Sequence, residues 1–167
     1  MEGMRFCPGC GAPLVERDAG GRKRKACPAP DCGFVAWGNP TPVVAAIVEH
    51  PAGVILVRNQ GWPEKMFGLV TGFLEAGETP EAGVLREVEE ELGLVGEVVS
   101  LVGVYGFAER NELIVAYHVR ASGEIRQGEE LAGYKAIAPE KLRPWPFGTG
   151  YAVEAWLAAR KAAQAPR

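Results

Sequence analysis

The chain has 167 residues, 47% of them hydrophobic and 23% charged, which predicts a globular protein with a buried core and excludes collagen-like, disordered and long coiled-coil classes. Its formal net charge of -3 excludes a whole-molecule positive field that would attract nucleic acid or an anionic membrane. No apolar run precedes Cys7, and no stretch reaches the roughly 20 apolar residues of a membrane span, so we expect a cytoplasmic protein with reduced thiols and no membrane partner.

All four cysteines lie near the N-terminus, in two short clusters with the spacing of metal ligands. Two residues separate Cys7 from Cys10, four residues separate Cys27 from Cys32, and 16 residues lie between the clusters. Proline and glycine in such turns hold both thiolates on one side. Four thiolates suit a structural Zn²⁺ ion, so we predict a zinc site; two disulfides or four unrelated thiols are the alternatives.

The segment between the two cysteine clusters predicts a two-stranded hairpin that turns near Asp18-Ala-Gly-Gly. Such a hairpin is too small to bury a core without a metal ion. The basic run at residues 22–25 can contact RNA, but four charges on a solvated turn are more typical of an ordinary surface, so RNA is not the favoured partner. Turn residues around Pro40 end the segment, and we predict a zinc ribbon at residues 1–40 and a second domain at residues 41–167.

The second domain combines β-rich runs with two helical patterns. The first helix is predicted to begin after the N-cap residue Thr79, with Pro80 in its first turn, and to end at Leu92 before Gly93. The second helix is predicted at residues 149–164, and the predicted strands are residues 43–48, 53–58, 98–104, 113–120 and 134–138. Mostly antiparallel strands with two helices indicate a layered α/β or α+β domain rather than a parallel nucleotide-binding sheet.

Three glutamates share one side of the first predicted helix. At about 100° per residue, Glu87, Glu90 and Glu91 fall within an arc of about 100° that borders the apolar face, whereas Glu89 points away. Like charges at this spacing repel each other, so the arrangement favours a bound cation. Carboxylate oxygens suit Mg²⁺ or Mn²⁺, and such ions activate water for attack on phosphorus. An acidic, solvated helix surface is the alternative.

The three glutamates belong to a longer pattern that resembles the Nudix box, Gly-x5-Glu-x7-Arg-Glu-U-x-Glu-Glu-x-Gly-U, in which U is a bulky apolar residue. Its specified positions are met at Gly72, Glu78, Arg86, Glu87, Val88, Glu90, Glu91, Gly93 and Leu94. Nine matches within 23 residues make a chance coincidence improbable. The four-cysteine segment ahead of the box is similar to zinc-ribbon Nudix hydrolases, a group that includes NADH pyrophosphatases and relatives that cleave FAD or ADP-ribose.

This resemblance implies a Nudix-type α/β/α sandwich with a mixed sheet, and hydrolysis of a nucleoside diphosphate linked to another moiety. It also implies that Glu87, Glu90 and Glu91 ligate Mg²⁺ or Mn²⁺, with the carbonyl of Gly72 as a further ligand. By the same resemblance, Arg86 orients a glutamate of the box by a charged hydrogen bond.

Further carboxylates have roles that depend on the resemblance. Glu78 is expected to steady the junction between loop and helix and to lie near substrate. The general base is expected to be a glutamate of the box or one from a later loop. Glu130 is the best candidate outside the box, and Glu109 and Glu112 are weaker ones.

Residues outside the box are expected to select the substrate. Arg58 ends a predicted strand and can hold a phosphate by a bidentate contact, with an ordinary surface arginine as the alternative. An adenine or flavin ring needs an apolar slot. Six aromatic residues are available to build one: Trp62, Phe67, Phe73, Tyr105, Phe107 and Tyr117. Trp145 and Phe147 are expected either to pack in the core or to lie at the substrate rim.

One departure from the family pattern bears on the substrate. Residues 100–104 read Ser-Leu-Val-Gly-Val, where the NADH-cleaving relatives carry a Ser-Gln-Pro-Trp element. ADP-ribose and FAD are therefore the favoured substrates, with NADH or NAD-capped RNA as the alternative. A nucleotide-sensing domain without catalysis is a second alternative, although retention of all three glutamates argues against it. The resemblance also allows a homodimer.

Overall fold

The computed structural model describes residues 3–164, which form two compact units divided between Asn39 and Pro40. The N-terminal unit contains the predicted hairpin, made of β1 (Val15–Ala19) and β2 (Arg22–Ala26) in antiparallel pairing. Gly20 and Gly21 form its two-residue turn with φ angles of 60° and 74°, as a hairpin turn of this length requires. Most hairpin residues are exposed, so the apolar contacts within this unit are few.

A mixed six-stranded sheet forms the centre of the second unit. Its strands are β3 (Thr41–His50), β4 (Gly53–Asn59), β5 (Val70–Phe73), β6 (Val95–Phe107), β7 (Glu112–Ser122) and β8 (Leu131–Ile137). The order is β6-β7-β3-β4-β8, and β5 pairs with β3 beside β4. The β3–β7 pair is parallel and the other pairs are antiparallel. Short 3₁₀ turns at Ala108–Arg110 and Pro139–Lys141 complete the connections.

The first helix, α1 (Pro80–Leu92), begins and ends where the sequence predicts. The Thr79 hydroxyl accepts a hydrogen bond from the backbone N–H of Ala82 at 3.2 Å, which satisfies one of the unpaired donors of the first turn. At the other end, the N–H of Gly93 donates to the carbonyl of Glu89 at 2.8 Å. These two caps fix where the helix begins and ends, while the packing of its apolar residues against β3 sets the direction of its glutamates.

The sheet is covered on both faces, so its central strand β3 is buried over six consecutive residues. On one face, Val84, Val88 and Leu92 of α1 pack against Val44, Ala46 and Val48 of β3. On the other face, α2 (Gly150–Gln164) places Ala152, Val153 and Trp156 against the alternate residues of the same strand, Val43, Ala45 and Ile47. This arrangement is the predicted α/β/α sandwich with a mixed sheet.

Several elements differ from the sequence expectation: β8 begins three residues earlier than predicted, β3 and β7 are longer, and the largest differences are in β5 and β6. β5 (Val70–Phe73) was not predicted, because its four residues have no alternating pattern and the strand is defined by pairing with β3. β6 is longer than predicted, since it continues on both sides of the apolar run through two register shifts. None of the described helices is long and apolar enough to cross a membrane.

Candidate active site

The three predicted metal-binding glutamates lie together on α1. Glu87, Glu90 and Glu91 all line one cavity of about 630 Å³, which we call the acidic cavity, whereas Glu89 is exposed and lies outside its lining. Their exposure is graded: the Glu90 side chain is 60% exposed, that of Glu87 is 13% exposed, and Glu91 is 4% exposed. The helical spacing therefore places one carboxylate in solvent, one at the wall and one in the interior.

Gly72, at the end of β5, forms the wall against which Glu87 lies. A Cβ atom at position 72 would fall 1.8 Å from Cδ of Glu87, so only glycine leaves room for the carboxylate. Gly72 pairs with Val44 in the sheet, which fixes the distance between strand and helix. Gly72 and Glu87, which are the first and fourth specified positions of the box pattern, thus lie directly against each other.

Arg86 joins the acidic cavity to the loop that precedes the helix. Its Nη1 donates to Oε1 of Glu87 at 2.7 Å and to Oε2 of Glu90 at 3.0 Å. Its Nη2 donates to Oε1 of Glu78 at 2.8 Å and to the carbonyl of Phe73 at 3.1 Å, and its Nε donates to Oε2 of Glu78 at 3.2 Å. One guanidinium therefore orients two of the predicted metal-binding glutamates and is itself held by a third carboxylate.

Both carboxylate oxygens of Glu78 accept hydrogen bonds from Arg86. Its Oε1 also accepts the backbone N–H of Glu75 at 2.7 Å, and the hydrogen bonds from Arg86 hold the pKa of Glu78 below its usual range. Glu78 is not among the residues that line the acidic cavity. The structure thus places it at the loop-to-helix junction, and its place near substrate stays a prediction.

Glu91 lies in an electrostatically unfavourable position. Burial, together with the negative charges of Glu87, Glu130 and Glu90, raises its pKa to about 8. Burial likewise raises the pKa of Glu87, although Arg86 opposes the shift. The Oε2 atom of Glu91 is buried and accepts no hydrogen bond. A cation with open coordination positions would remove this cost, so the donor set fits a hard divalent ion.

The loop that carries Glu130 is docked on the C-terminal end of α1. The backbone N–H groups of Gly128 and Arg126 donate to the carbonyls of Glu91 and Leu92, each at 2.8 Å. Gly128 lies so close to the helix that a Cβ there would fall 2.4 Å from the carbonyl oxygen of Glu90. Glu129 and Glu130 consequently line the acidic cavity, and the loop is held by the same helix that carries the box glutamates.

The other two candidate bases differ in position. Glu112 lines the acidic cavity and is half-buried, whereas Glu109 is exposed and lies outside the lining. Glu130 and Glu112 are therefore the two predicted bases outside the box that the fold brings to the glutamates.

In the N-terminal unit, the four cysteine sulfurs lie within 4.8 Å of one another. The Sγ atoms of Cys7 and Cys32 are 3.4 Å apart, those of Cys10 and Cys27 are 3.5 Å apart, and all four thiols are free. Zn–S bonds of about 2.3 Å in a tetrahedron place the sulfurs roughly 3.8 Å apart. The cluster therefore fits a four-thiolate zinc ion and not two disulfides.

The thiols of this cluster ionise unequally. Burial of Cys7 disfavours the thiolate, but hydrogen bonds from the backbone at Gly9 and Cys10 outweigh it and lower the pKa to about 7. A backbone bond at Ala29 favours the thiolate of Cys27, but burial and the neighbouring sulfurs outweigh that bond and raise the pKa to about 12. Such coupling is expected where several thiols share the space of one cation.

Residues 39–155 match the NUDIX domain family. The chain belongs to the Nudix family.

Similar proteins extend beyond this domain. The NAD-capped RNA hydrolase NudC of Pseudomonas aeruginosa is 28% identical over 167 residues, an alignment that covers 97% of this chain and 59% of that protein. The NudC of Mycobacterium tuberculosis is 34% identical over 118 residues, covering 70% of this chain and 36% of that protein. The chain thus spans at most about three-fifths of the length of these curated relatives.

Solved structures show the same fold. A NUDIX hydrolase from Nitrosomonas europaea aligns with a TM-score of 0.81 and 24% identity, over 96% of this chain and 94% of that chain. An ADP-ribose pyrophosphatase from Streptococcus suis aligns with a TM-score of 0.60 and 19% identity, over 77% of this chain and 96% of that chain. At these identities the likeness establishes the Nudix fold alone.

A second cavity of this Nudix domain, of about 280 Å³, adjoins the acidic one, and we call it the aromatic cavity. Its aromatic residues are Trp62, Phe67, Phe107, Trp145 and Phe147. The two cavities share Val43, Trp62, Thr71, Arg110 and Glu112 in their linings, so they adjoin, and we call them together the cleft, with an acidic end and an aromatic end. Phe73 is 62% exposed and lines the acidic end.

The remaining predicted substrate residues lie elsewhere. Tyr117 is buried under α1, where its hydroxyl donates to Glu81 at 2.9 Å, and Tyr105 packs against the core on the α2 face. Arg58 donates to the carbonyl of Ala132 at 3.0 Å and lines neither end of the cleft. Arg58 therefore stabilises the pairing of β4 with β8, because its guanidinium donates a hydrogen bond to a carbonyl at the bulge in β8.

Sequence reasoning missed several polar residues of the cleft, among them Thr71, Arg110 and Asn59. Asn59 lines the acidic cavity beside the glutamates, and nothing in the box pattern indicates it. An amide at the end of a strand that is apolar from Val54 to Val57 was the available signal.

Proposed function

We propose that the protein is a divalent-metal-dependent pyrophosphohydrolase that cleaves a dinucleotide-like substrate into AMP and a second phosphorylated product. The observation that carries this proposal is the cleft, in which the cavity lined by the glutamates of α1 adjoins an aromatic cavity. An aromatic slot suits a planar base, and a cluster of carboxylates suits the metal ions that accompany a diphosphate. Both parts of a nucleoside diphosphate thus have a place in one cleft.

The residues have separate roles in this proposal. Glu87, Glu90 and Glu91, with the carbonyl of Gly72, would hold the divalent ions. When bound, Mg²⁺ or Mn²⁺ neutralises developing charge and lowers the pKa of water. Arg86 keeps Glu87 and Glu90 in position at 2.7 and 3.0 Å. Glu130 accepts a proton from the attacking water, supported by its place in the cavity on a loop docked to α1.

ADP-ribose, FAD and NADH are the dinucleotide-like candidates. Each contains an adenosine diphosphate half, so each can place adenine among Trp62, Phe107 and Trp145 with the diphosphate at the glutamates. The aromatic cavity of about 280 Å³ is at the lower end of small-molecule sites and suits one ring system rather than a whole dinucleotide. The names of the relatives support NADH, whereas the sequence departure at residues 100–104 supports ADP-ribose and FAD.

The proposal is tested by a hydrolysis panel with product identification. ADP-ribose, FAD, NADH, coenzyme A, diadenosine polyphosphates and oxidised dNTPs are incubated with Mg²⁺ or Mn²⁺, and the products are separated by chromatography. We expect AMP from at least one dinucleotide and no product with EDTA. Nucleotide binding without turnover of any compound would show a sensing domain instead.

NAD-capped RNA is a second candidate substrate, supported by the names of the two NudC relatives. Three of the four residues in the basic run at 22–25 already have partners within the N-terminal unit. Lys23 pairs with Asp18 at 2.9 Å, Arg24 stacks on Trp37 at 5.0 Å, and Lys25 donates to the carbonyl of Met4 at 2.8 Å. The test is the double variant Arg22→Ala and Lys23→Ala. A loss of activity on capped RNA with wild-type activity on NADH would support this role. Wild-type activity on both substrates would contradict it.

We also propose that Cys7, Cys10, Cys27 and Cys32 hold one structural Zn²⁺ ion in a ribbon over residues 1–40, with the Nudix hydrolase domain at residues 41–167. The geometry of the four sulfurs supports the zinc site. Elemental analysis of freshly purified protein should give about one zinc per chain, and the Cys27→Ser variant should give much less. Freshly purified protein that contains no zinc would contradict this proposal.

A further inference from the structure

Arg110 lies at the boundary between the two ends of the cleft. Among the described residues, five line both the acidic cavity and the aromatic cavity, and Arg110 is the only cation of the five. Its guanidinium carbon lies 6.0 Å from the centre of the Phe107 ring, and Phe107 lines the aromatic cavity. The charged group of Arg110 is therefore beside the aromatic end, while the glutamates of α1 line the acidic end.

A short turn holds the backbone of Arg110 in this place. Arg110 is the last residue of the 3₁₀ turn that joins β6 to β7. Asn111 follows with a left-handed φ of 53°, and its N–H donates to the carbonyl of Ala108 at 3.1 Å. The carbonyl of Asn111 accepts the N–H of Thr41 at 2.8 Å. The turn is thereby hydrogen-bonded to the first residue of β3, the central strand of the sheet.

The guanidinium of Arg110 is not engaged by a neighbouring carboxylate. Within residues 3–164 it takes part in no ion pair, although most charged residues that line the acidic cavity are glutamates. Arg86, the other arginine of that lining, already donates five hydrogen bonds to neighbouring oxygens. Lys65 lines the aromatic cavity alone. Arg110 is thus the cation at the boundary whose charge is open to an anionic ligand.

We propose that Arg110 binds the phosphate attached to adenosine in a dinucleotide-like substrate, an inference that rests on the proposed hydrolase function. With adenine in the aromatic cavity and the diphosphate at the glutamates, this phosphate falls where the two linings meet. A guanidinium donates two parallel hydrogen bonds to phosphate oxygens, and its charge offsets the repulsion from nearby carboxylates. After cleavage the same contact holds the product AMP. Arg110 is therefore a residue of nucleotide binding, and it selects the adenosine half by its phosphate.

The test separates the phosphate from the base. AMP and adenosine are titrated by calorimetry in Mg²⁺ against the wild type and Arg110→Gln. We expect this variant to bind AMP about tenfold more weakly and adenosine within about twofold of wild type, because only AMP carries the phosphate. Arg110→Lys keeps the charge and should weaken AMP by less than about threefold. Because Arg110 is exposed, both variants should keep the wild-type Tm.

Arg120→Gln is the matched control. Arg120 is an exposed arginine near the far end of β7 and lines neither end of the cleft, so this variant should bind AMP as the wild type does. Steady-state kinetics supply a second readout. For the best substrate of the panel, Arg110→Gln should raise KM about tenfold and leave kcat within about threefold, as expected for a contact made equally before and during the reaction.

Four results would overturn the inference. Arg110→Gln could bind AMP as tightly as wild type, or it could weaken AMP and adenosine equally, which would assign the residue to the base. Lys65→Gln could carry the loss of AMP affinity instead. Wild-type protein could bind AMP no more tightly than adenosine. If the wild type hydrolyses no compound of the panel, the proposed function itself fails, and the comparison of AMP with adenosine still decides whether Arg110 holds the phosphate.

Discussion

The carboxylate of Glu87 occupies the space that a side chain at Gly72 would fill. A Cβ atom there would lie 1.8 Å from Cδ of Glu87 and 1.9 Å from its Oε1. Gly72→Ala should therefore push Glu87 out of the cavity wall and break its 2.7 Å bond to Arg86. We expect kcat to fall roughly a hundredfold or more, measured by AMP release, with the fold retained in far-UV circular dichroism.

The control for this substitution is Gly106→Ala. No atom lies within 4 Å of the Cβ position at Gly106, so this variant should keep wild-type kcat and Tm. A Gly72→Ala variant with wild-type activity would show that Glu87 works equally well from another position.

Arg86 has the second testable role, as the centre of the ion-pair network. Arg86→Lys replaces the planar fork by three donors on one nitrogen, so it cannot keep the five hydrogen bonds of Arg86. Because the side chains of Arg86 and Glu78 are only 25% and 16% exposed, we expect a loss of about 1–3 kcal/mol in unfolding free energy, and a lower kcat. Urea unfolding measures the first and AMP release the second.

Arg120→Lys is the matched surface control. Arg120 pairs with Glu97 at a similar 3.0 Å, but these side chains are 58% and 69% exposed, so we expect less than about 0.5 kcal/mol. Equal losses for the two variants would contradict a special role for Arg86.

The raised pKa of Glu91 predicts how the stability of the metal-free protein depends on pH. Burial and neighbouring charges raise this pKa from 4.5 to about 8, so the folded chain binds a proton that the unfolded chain has released. Stability should therefore fall as the pH rises through this window. The Tm without metal should decrease from about pH 5 to about pH 8, and Glu91→Gln should largely remove that decrease.

Divalent metal should change this pattern, because binding to Glu91 displaces the same proton. With saturating Mn²⁺ the wild-type Tm should decrease less over the same range. Glu89→Gln is the control, since Glu89 is exposed and should leave the pH dependence as in wild type. A Glu91→Gln variant with the wild-type slope would contradict the assignment of the titration to Glu91.

Trp62 lines both ends of the cleft and should contribute to nucleotide binding. Its ring lies over Gly68, at 3.3 Å from the Cβ position there, so it is supported by the backbone of the adjoining segment. Trp62→Ala should raise the KM for the preferred dinucleotide roughly tenfold with a smaller effect on kcat. Trp37→Ala, in the N-terminal unit, should leave KM unchanged. Equal effects of the two variants on KM would contradict a role of the aromatic cavity in nucleotide binding.

The sequence was sufficient for the parts of the structure that depend on local chemistry. Thr79, Pro80 and Gly93 mark the ends of α1, and the helical period then places Glu87, Glu90 and Glu91 on one cavity. The spacing of the cysteines similarly predicts the sulfur cluster. The residues that define the geometry lie within one helix in the first case, and in two short clusters joined by a predicted hairpin in the second, so the pattern alone carries the information.

Features that depend on long-range pairing could not be predicted. β5 exists because Val70–Phe73 pairs with β3, and the parallel β3–β7 pair joins strands about 70 residues apart, from Thr41↔Glu112 to Glu49↔Arg120. The aromatic cavity likewise brings together Trp62 and Trp145, which lie far apart in the sequence. The place of Asn59 in the lining of the acidic cavity, at the end of β4 where its pairing with β8 is bulged, also has no sequence pattern.

The most direct test of the account compares two neighbouring glutamates of α1. Glu90 lines the acidic cavity and accepts a bond from Arg86 at 3.0 Å, whereas Glu89 is exposed outside the lining. The measurement is kcat for AMP release from the best substrate of the panel at saturating Mg²⁺. We predict a loss of roughly a hundredfold or more in Glu90→Gln and wild-type kcat in Glu89→Gln. Full activity of Glu90→Gln with every such substrate would contradict the proposed mechanism.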